Sequence, residues 1–115
     1  PFERARLLFE LGRPAVAATI ASAIVESQPE PSALLLLGQA ERARGRLPPA
    51  IAALRRIPEG AAEYVLAQIE LSRALVDSGE EARARRLLGD LMQAYGETWP
   101  EIAAALEALD RASGG

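Results

Sequence analysis

The turn signals of this chain recur at a nearly constant distance. Glycines that each end a helix-like segment are spaced by 33 and then 34 residues, at Gly12, Gly45 and Gly79. Five residues after each glycine comes an alanine, at Ala17, Ala50 and Ala84. A fixed period of this length predicts stacked copies of one small unit, because a single helical hairpin cannot bury its apolar face alone.

The residues between these turns have helical periodicity. On the last long segment before Gly96 the apolar positions follow three-four spacing, at Ala84, Leu88, Leu91 and Tyr95, which is typical of an amphipathic helix. Half of the residues are hydrophobic but only 4% are aromatic, so Ala and Leu dominate, and both favour helix. Glycine and proline separate the segments. The sequence therefore predicts seven helices joined by tight turns.

The second unit resembles the tetratricopeptide repeat. In that family's pattern a large apolar residue is followed three positions later by Leu-Gly, then by a turn glycine, then by an alanine in the second helix. Those places are filled here by Leu34, Leu37, Gly38, Gly45 and Ala50. The pattern covers both helices of the unit, which are called helix A and helix B.

The other two units fit the same pattern less fully. In the third unit Leu71 and Leu75 fill family positions, but Ser72 replaces the glycine. In the first unit helix A is truncated, although Pro29 lies where the family's closing proline falls. In the second unit Pro58 comes about four residues early, which predicts a shorter helix B and a longer helix A after it.

The resemblance implies an all-α, right-handed α-solenoid of antiparallel helix pairs, with about three repeats and a C-terminal capping helix. We expect one domain over residues 1–115, divided into a truncated first repeat at 1–29, a second at 30–59, a third at 60–96, and the capping helix and tail at 97–115. Thr98 to Glu101 has the pattern of a capping box, with Thr98 as N-cap, and Trp99 is expected to seal the core. Another α-solenoid or a plain helical bundle remains an alternative.

The resemblance also implies a ligand groove on the concave face, contacted by certain positions of helix A. Carried over by register, these positions are Phe2, Arg6, Phe9, Leu35, Gln39, Arg42, Ile69, Arg73 and Val76. Arg6, Gln39 and Arg73 share one position and are expected to form a polar ladder. Leu35 and Ile69 share another and would provide an apolar strip.

Two interpretations of these groove residues stay open at this point. In the first, Arg42 and Arg73 supply donors that only a partner's carboxylates or carbonyls would satisfy. In the second, the arginines form a solvated face, and Leu35 and Ile69 pack against the neighbouring repeat.

Composition excludes much chemistry. The 13 basic residues are all Arg, and the chain has no Lys, His, Cys or Asn. Histidine bases, thiol nucleophiles and a P-loop lysine are therefore absent, and we predict no catalytic residue, metal site or cofactor, and no enzyme. Carboxylate-clamp binding of chaperone C-termini, which in this family depends on Lys and Asn, is not expected. The net charge of -3 argues against nucleic acid as a partner.

The expected function is that of a non-catalytic scaffold that binds a protein or peptide partner. No apolar run reaches the roughly 20 residues of a membrane span and no signal peptide is visible, so we expect no direct membrane insertion, and bacterial cytoplasm and periplasm both stay open. The all-Arg, Ala- and Leu-rich composition resembles that of a high-GC bacterium. By family analogy we expect a piece of a longer array within a larger bacterial assembly for cell-envelope work, secretion or exopolysaccharide export. The alternative is a structural spacer or self-assembly element without a groove ligand.

Overall fold

The computed structural model describes residues 1–114, and within that range the chain is all-helical, with no β-strand. The seven helices are α1 (Phe2–Glu10), α2 (Pro14–Ser27), α3 (Pro31–Ala43), α4 (Leu47–Arg55), α5 (Tyr64–Asp77), α6 (Glu81–Tyr95) and α7 (Pro100–Gly114). The predicted all-α class and the predicted number of helices are confirmed. The predicted repeat boundaries would place α1 with α2, α3 with α4, α5 with α6, and α7 alone; this division stays a prediction.

The recurring glycines close three turns of the same kind. Gly12, Gly45 and Gly79 have φ angles of 81°, 76° and 82°, in the left-handed region that favours glycine. At the first turn the amide of Gly12 donates to the carbonyl of Phe9 at 3.0 Å, and that of Arg13 to the carbonyl of Leu8 at 2.9 Å. The same two hydrogen bonds recur at the other two glycines. This is a Schellman motif, and its repetition gives the chain its period.

Proline begins several of the helices. Pro14, Pro31 and Pro100 are the first residues of α2, α3 and α7, where no intrahelical acceptor awaits their missing N–H. The predicted capping box is wrong, because α7 begins one residue later than a Thr98 N-cap requires. The backbone amide of Thr98, which a capping box would offer to the Glu101 side chain, donates instead to the carbonyl of Tyr95 at 3.1 Å.

Helices A and B approach closely where one side chain is very small. A Cβ added to Gly38 in α3 would lie 2.4 Å from a methyl carbon of Leu54 in α4. Ala5 and Ser72 occupy the same register position in α1 and α5, and both are buried. Leu54 and Leu88, predicted to lie in the seam between helices, are 0% and 2% exposed. The repeat register proposed from the sequence is therefore consistent with the packing.

Pro58 shortens the helix before it far more than it lengthens the helix after it. Helix α4 has 9 residues, against 14 in α2 and 15 in α6, which confirms the shortened helix B. The next helix A is longer by only one residue, since α5 has 14 residues and α3 has 13. The released residues form short turns instead, with the amide of Ala61 bonded to the carbonyl of Pro58 and that of Tyr64 to Ala61.

The pattern of helix contacts defines the two faces of the array. Helix α3 packs against both α1 and α5, whereas no comparable contact joins α2 to α4 or α4 to α6 in residues 1–114. Neighbouring helix pairs therefore contact each other more closely on the side of α1, α3 and α5, and we call this side the concave face. Helix α7 packs on α6, and Trp99 is half-buried against the main core, as predicted.

Candidate partner-binding groove

The concave face contains a hollow of about 330 Å³ between α1, α3 and α5, which we call the first hollow. Its lining residues are Phe2, Arg6, Phe9, Glu10, Ser32, Leu35, Leu36, Gln39, Glu63 and Leu66. Five of the nine predicted groove residues are among them: Phe2, Arg6, Phe9, Leu35 and Gln39. The groove positions of the first and second units are thus brought together, apart from Arg42.

A second space of about 220 Å³ opens between α5 and α7, and we call it the α5–α7 crevice. It is lined by Arg42, Ser72, Arg73, Val76, Asp77, Leu88, Ala104, Ala105, Ala108, Leu109 and Ala112. Three predicted groove residues, Arg42, Arg73 and Val76, contribute to it. The predicted polar ladder is consequently divided, because Arg6 and Gln39 line the first hollow and Arg73 lines the crevice.

Ile69 lines neither space. Its exposed fraction is 3%, and it belongs to the main core. Helix α5 contacts α3, α4 and α6, so most of its surface is covered, and the place expected for an apolar groove residue lies inside the protein. Leu35, at the same register position in α3, is only partly buried and lines the first hollow. The predicted apolar strip therefore retains Leu35 and loses Ile69.

The prediction of unsatisfied arginine donors is wrong. The Nε of Arg42 donates to Asp77 at 2.9 Å, and its Nη1 donates to Glu70 at 3.1 Å. Arg73 donates to the other carboxylate oxygen of Glu70 at 3.3 Å. Arg6 pairs with Glu10 at 3.6 Å. Each predicted groove arginine therefore has a carboxylate partner within the chain.

Glu70 is the centre of this charge cluster. Its side chain is 8% exposed, and a carboxylate so deeply buried is costly unless it is paired and hydrogen-bonded. Arg42 reaches it from α3 and Arg73 from the next turn of α5. The cluster therefore links α3 to α5 across the concave face.

Sequence reasoning missed five lining residues of the first hollow, namely Glu10, Ser32, Leu36, Glu63 and Leu66. Leu66, in the first turn of α5, is 39% exposed, and Glu63 and Glu10 add two carboxylates to the lining. Helical spacing could have identified Leu66, which lies three residues before Ile69 on the same face. No pattern could have identified Glu63, because it precedes α5 in a turn whose path depends on tertiary packing.

Two side chains with displaced pKa values lie on α6, outside both spaces. The hydrogen bond from Tyr95 to Glu59, together with burial, raises the pKa of the Tyr95 phenol. The hydrogen bond from Arg85 to Asp110 raises the pKa of that guanidinium. The first connects the turn after α4 to α6, and the second connects α6 to α7. Both hydrogen bonds therefore connect different parts of the fold.

Residues 1–114 form neither a cluster of metal ligands nor a membrane-spanning helix. Among residues 1–114, no group of three or more His, Cys, Asp or Glu side chains is placed to hold a metal ion. In the same range, every helix is too short or too polar to cross a bilayer.

Comparison with known proteins gives one result. A family model described as tetratricopeptide repeat matches residues 2–65, which include α1 to α4 and the turn that leads into α5. No curated protein and no solved structure matches the sequence. The matched range contains every lining residue of the first hollow except Leu66.

Proposed function

The chain belongs to the tetratricopeptide repeat family, whose domains in general mediate protein–protein interaction, and we propose that it binds a segment of a partner protein along its concave face. The family is typically non-catalytic, and the role we propose is that of a scaffold. The bound segment would lie across α1, α3 and α5 and contact the first hollow.

One observation carries the proposal. The first hollow combines partly exposed apolar side chains with a few polar groups on the concave face. Leu66 is 39% exposed, and Phe2, Phe9 and Leu35 are only partly buried. Covering such area is the main favourable term in association, while Gln39 and Ser32 can bond the backbone of a bound segment. A concave, mostly apolar site with few polar groups is the usual form of a binding pocket.

The proposed cellular setting is a larger bacterial assembly, such as one for envelope construction, secretion or exopolysaccharide export. Its support is composition alone, with all 13 basic residues being Arg. Recovery of a partner from such an assembly would give the setting independent support.

In the experiment, the wild-type protein and two charge variants are immobilised, and the proteins that each captures from a cell lysate are compared. Leu66→Arg places a long charged side chain in the first hollow at an exposed site, where it occupies the space of a bound segment, so the partner should be lost. Leu11→Arg makes the same exchange at a leucine that is 67% exposed outside the hollow, and should retain the partner. Equal capture by all three proteins, with circular dichroism unchanged, would refute a groove-bound partner.

Self-assembly is a second candidate, favoured by an exposed apolar cluster on α1 and α2. Leu7, Leu11 and Val16 are 55%, 67% and 45% exposed near the turn between α1 and α2. A second copy could cover these side chains. Light scattering should then give a mass that rises with concentration for wild type and Leu66→Arg, and a monomeric mass at all concentrations for Leu11→Arg. A monomeric wild type at all concentrations would exclude this candidate.

A further inference from the structure

The first hollow has an unbalanced charge. Three charged residues line it: Arg6, Glu10 and Glu63. Arg6 and Glu10 pair with each other at 3.6 Å. In residues 1–114 no basic side chain forms an ion pair with Glu63. The Glu63 side chain also makes no capping bond to the start of α5. The hollow therefore carries one uncompensated carboxylate.

The α5–α7 crevice has no such imbalance. Its two arginines, Arg42 and Arg73, face two carboxylates, those of Asp77 and Glu70. An acidic partner would have to displace one of these carboxylates to gain an arginine. A basic partner approaching Glu63 displaces nothing but water. Charge complementarity on the concave face thus favours a basic group, and it favours the first hollow over the crevice.

The walls of the first hollow suit a long basic side chain. Lysine and arginine bury their aliphatic stems along apolar surface while their charged ends stay at polar groups. Phe2, Phe9, Leu35 and Leu66 provide the apolar surface, and an aromatic ring face also attracts a cation. The hollow, at about 330 Å³, is at the small end of the range for ligand pockets, which suits one side chain.

We infer that the first hollow binds an arginine or lysine side chain of the partner segment, with its charged end at Glu63 and its stem between Phe9 and Leu66. The inference rests on the proposed function, because it assigns a chemistry to the groove proposed there. It reverses the expectation from the sequence, in which arginines of this chain would recognise carboxylates of the partner.

The test uses blocked amino acids as probes of the single hollow. Amide chemical shifts of the ¹⁵N-labelled protein are followed during titration with N-acetylarginine amide, its uncharged isostere N-acetylcitrulline amide, and N-acetylglutamate amide. We expect saturable shifts around Glu63 and Leu66 with the arginine probe. The citrulline probe should bind up to about fivefold more weakly, as for one exposed ion pair, and the glutamate probe more weakly again. The advantage of arginine should shrink as salt is added.

Two variants assign this preference to one carboxylate. In Glu63→Gln the arginine and citrulline probes should bind equally, because the uncompensated charge is gone. Glu107→Gln removes an exposed carboxylate of α7 that lines neither space, and it should keep the preference. Thermal unfolding of both variants checks that folding is intact.

Several results would overturn the inference. One is the absence of saturable shifts with the arginine probe up to its solubility limit. The others are equal binding of the arginine and citrulline probes to the wild type, and a preference for the arginine probe that survives in Glu63→Gln. The proposed function fails differently, through capture that is unchanged in Leu66→Arg. A partner that is captured by way of Leu66 but does not depend on Glu63 would keep the groove and reject the basic anchor.

Discussion

Single side chains decide how closely the helices of this array pack. Leu88 of α6 is 2% exposed, at the register position that Leu54 holds in α4. Leu88→Ala should lower the free energy of unfolding by about 2–5 kcal/mol, because it removes buried methyl groups and leaves a cavity. The urea midpoint measures this loss.

Leu7→Ala is the matched control for this substitution. Leu7 is 55% exposed, so the same truncation should cost well under about 1 kcal/mol. A midpoint in Leu88→Ala that moved no further than in Leu7→Ala would mean that the repeat register is wrong.

A substitution at Gly38 tests the close approach of α3 and α4 by adding volume instead of removing it. Gly38→Ala would bring a Cβ to 2.4 Å from Leu54, and overpacking of this kind costs about 1–3 kcal/mol. That should outweigh the gain in helix propensity of about 0.5–1 kcal/mol from replacing a helical glycine. We therefore expect a lower urea midpoint for Gly38→Ala.

A substitution at Gly89 separates the gain in helix propensity from the cost of overpacking. Gly89 lies inside α6, and a Cβ there would meet no other atom within 4 Å, so Gly89→Ala should stabilise the protein. In a Leu54→Ala background Gly38→Ala should cost much less, because the Leu54 atoms that the new Cβ would meet are gone, and the difference is the coupling energy between the two sites. If Gly38→Ala raised the midpoint as Gly89→Ala does, the close contact between α3 and α4 would be refuted.

At the scale of elements, the turns after α4 are attached to α6 by a titratable group. The Tyr95 hydroxyl donates to Glu59, and this hydrogen bond, with burial and the carboxylate charge, raises the pKa of Tyr95. The protonated phenol is the form favoured by folding. Its contribution to stability is therefore complete below the unfolded pKa of about 10 and disappears as pH rises through the higher folded value.

Titration of the phenolate absorbance should detect this attachment. In Glu59→Gln the pKa of Tyr95 should fall toward its ordinary value, because the carboxylate that opposes ionisation is gone. Glu97→Gln, in the turn that follows α6, should leave the titration unchanged. An identical titration in Glu59→Gln would show that Glu59 does not hold the phenol.

At the scale of the whole molecule, stability should be graded along the array. Helix α3 packs against α1, α2, α4 and α5, whereas α7 packs mainly on α6. Repeat proteins are stabilised by contacts between neighbours, so their ends have the fewest supporting contacts. We expect native-state hydrogen exchange to be slowest in α3 and α5 and fastest in α1 and α7. Uniform protection in all helices would instead indicate one cooperative unit.

Local chemistry made much of this protein predictable from its sequence. Periodicity gave the helices, and glycines that need positive φ marked three turns, because both properties belong to a few adjacent residues. The buried seam at Leu54 and Leu88 followed from the same register. Of the nine groove residues predicted by resemblance, five line one hollow, since α1 and α3 repeat the same arrangement.

Only the tertiary structure decided which groups remain free to act. Ile69 and Leu35 share a register position, but contacts on several sides of α5 bury Ile69. Arg42 found Glu70 and Asp77, which are 28 and 35 residues away, and Glu63 was left without a cation. Burial and ion pairing depend on distances between residues far apart in the chain, and a local pattern does not contain those distances. The sequence therefore determined the repeated unit, and the packing of one unit on the next determined the charge of the groove.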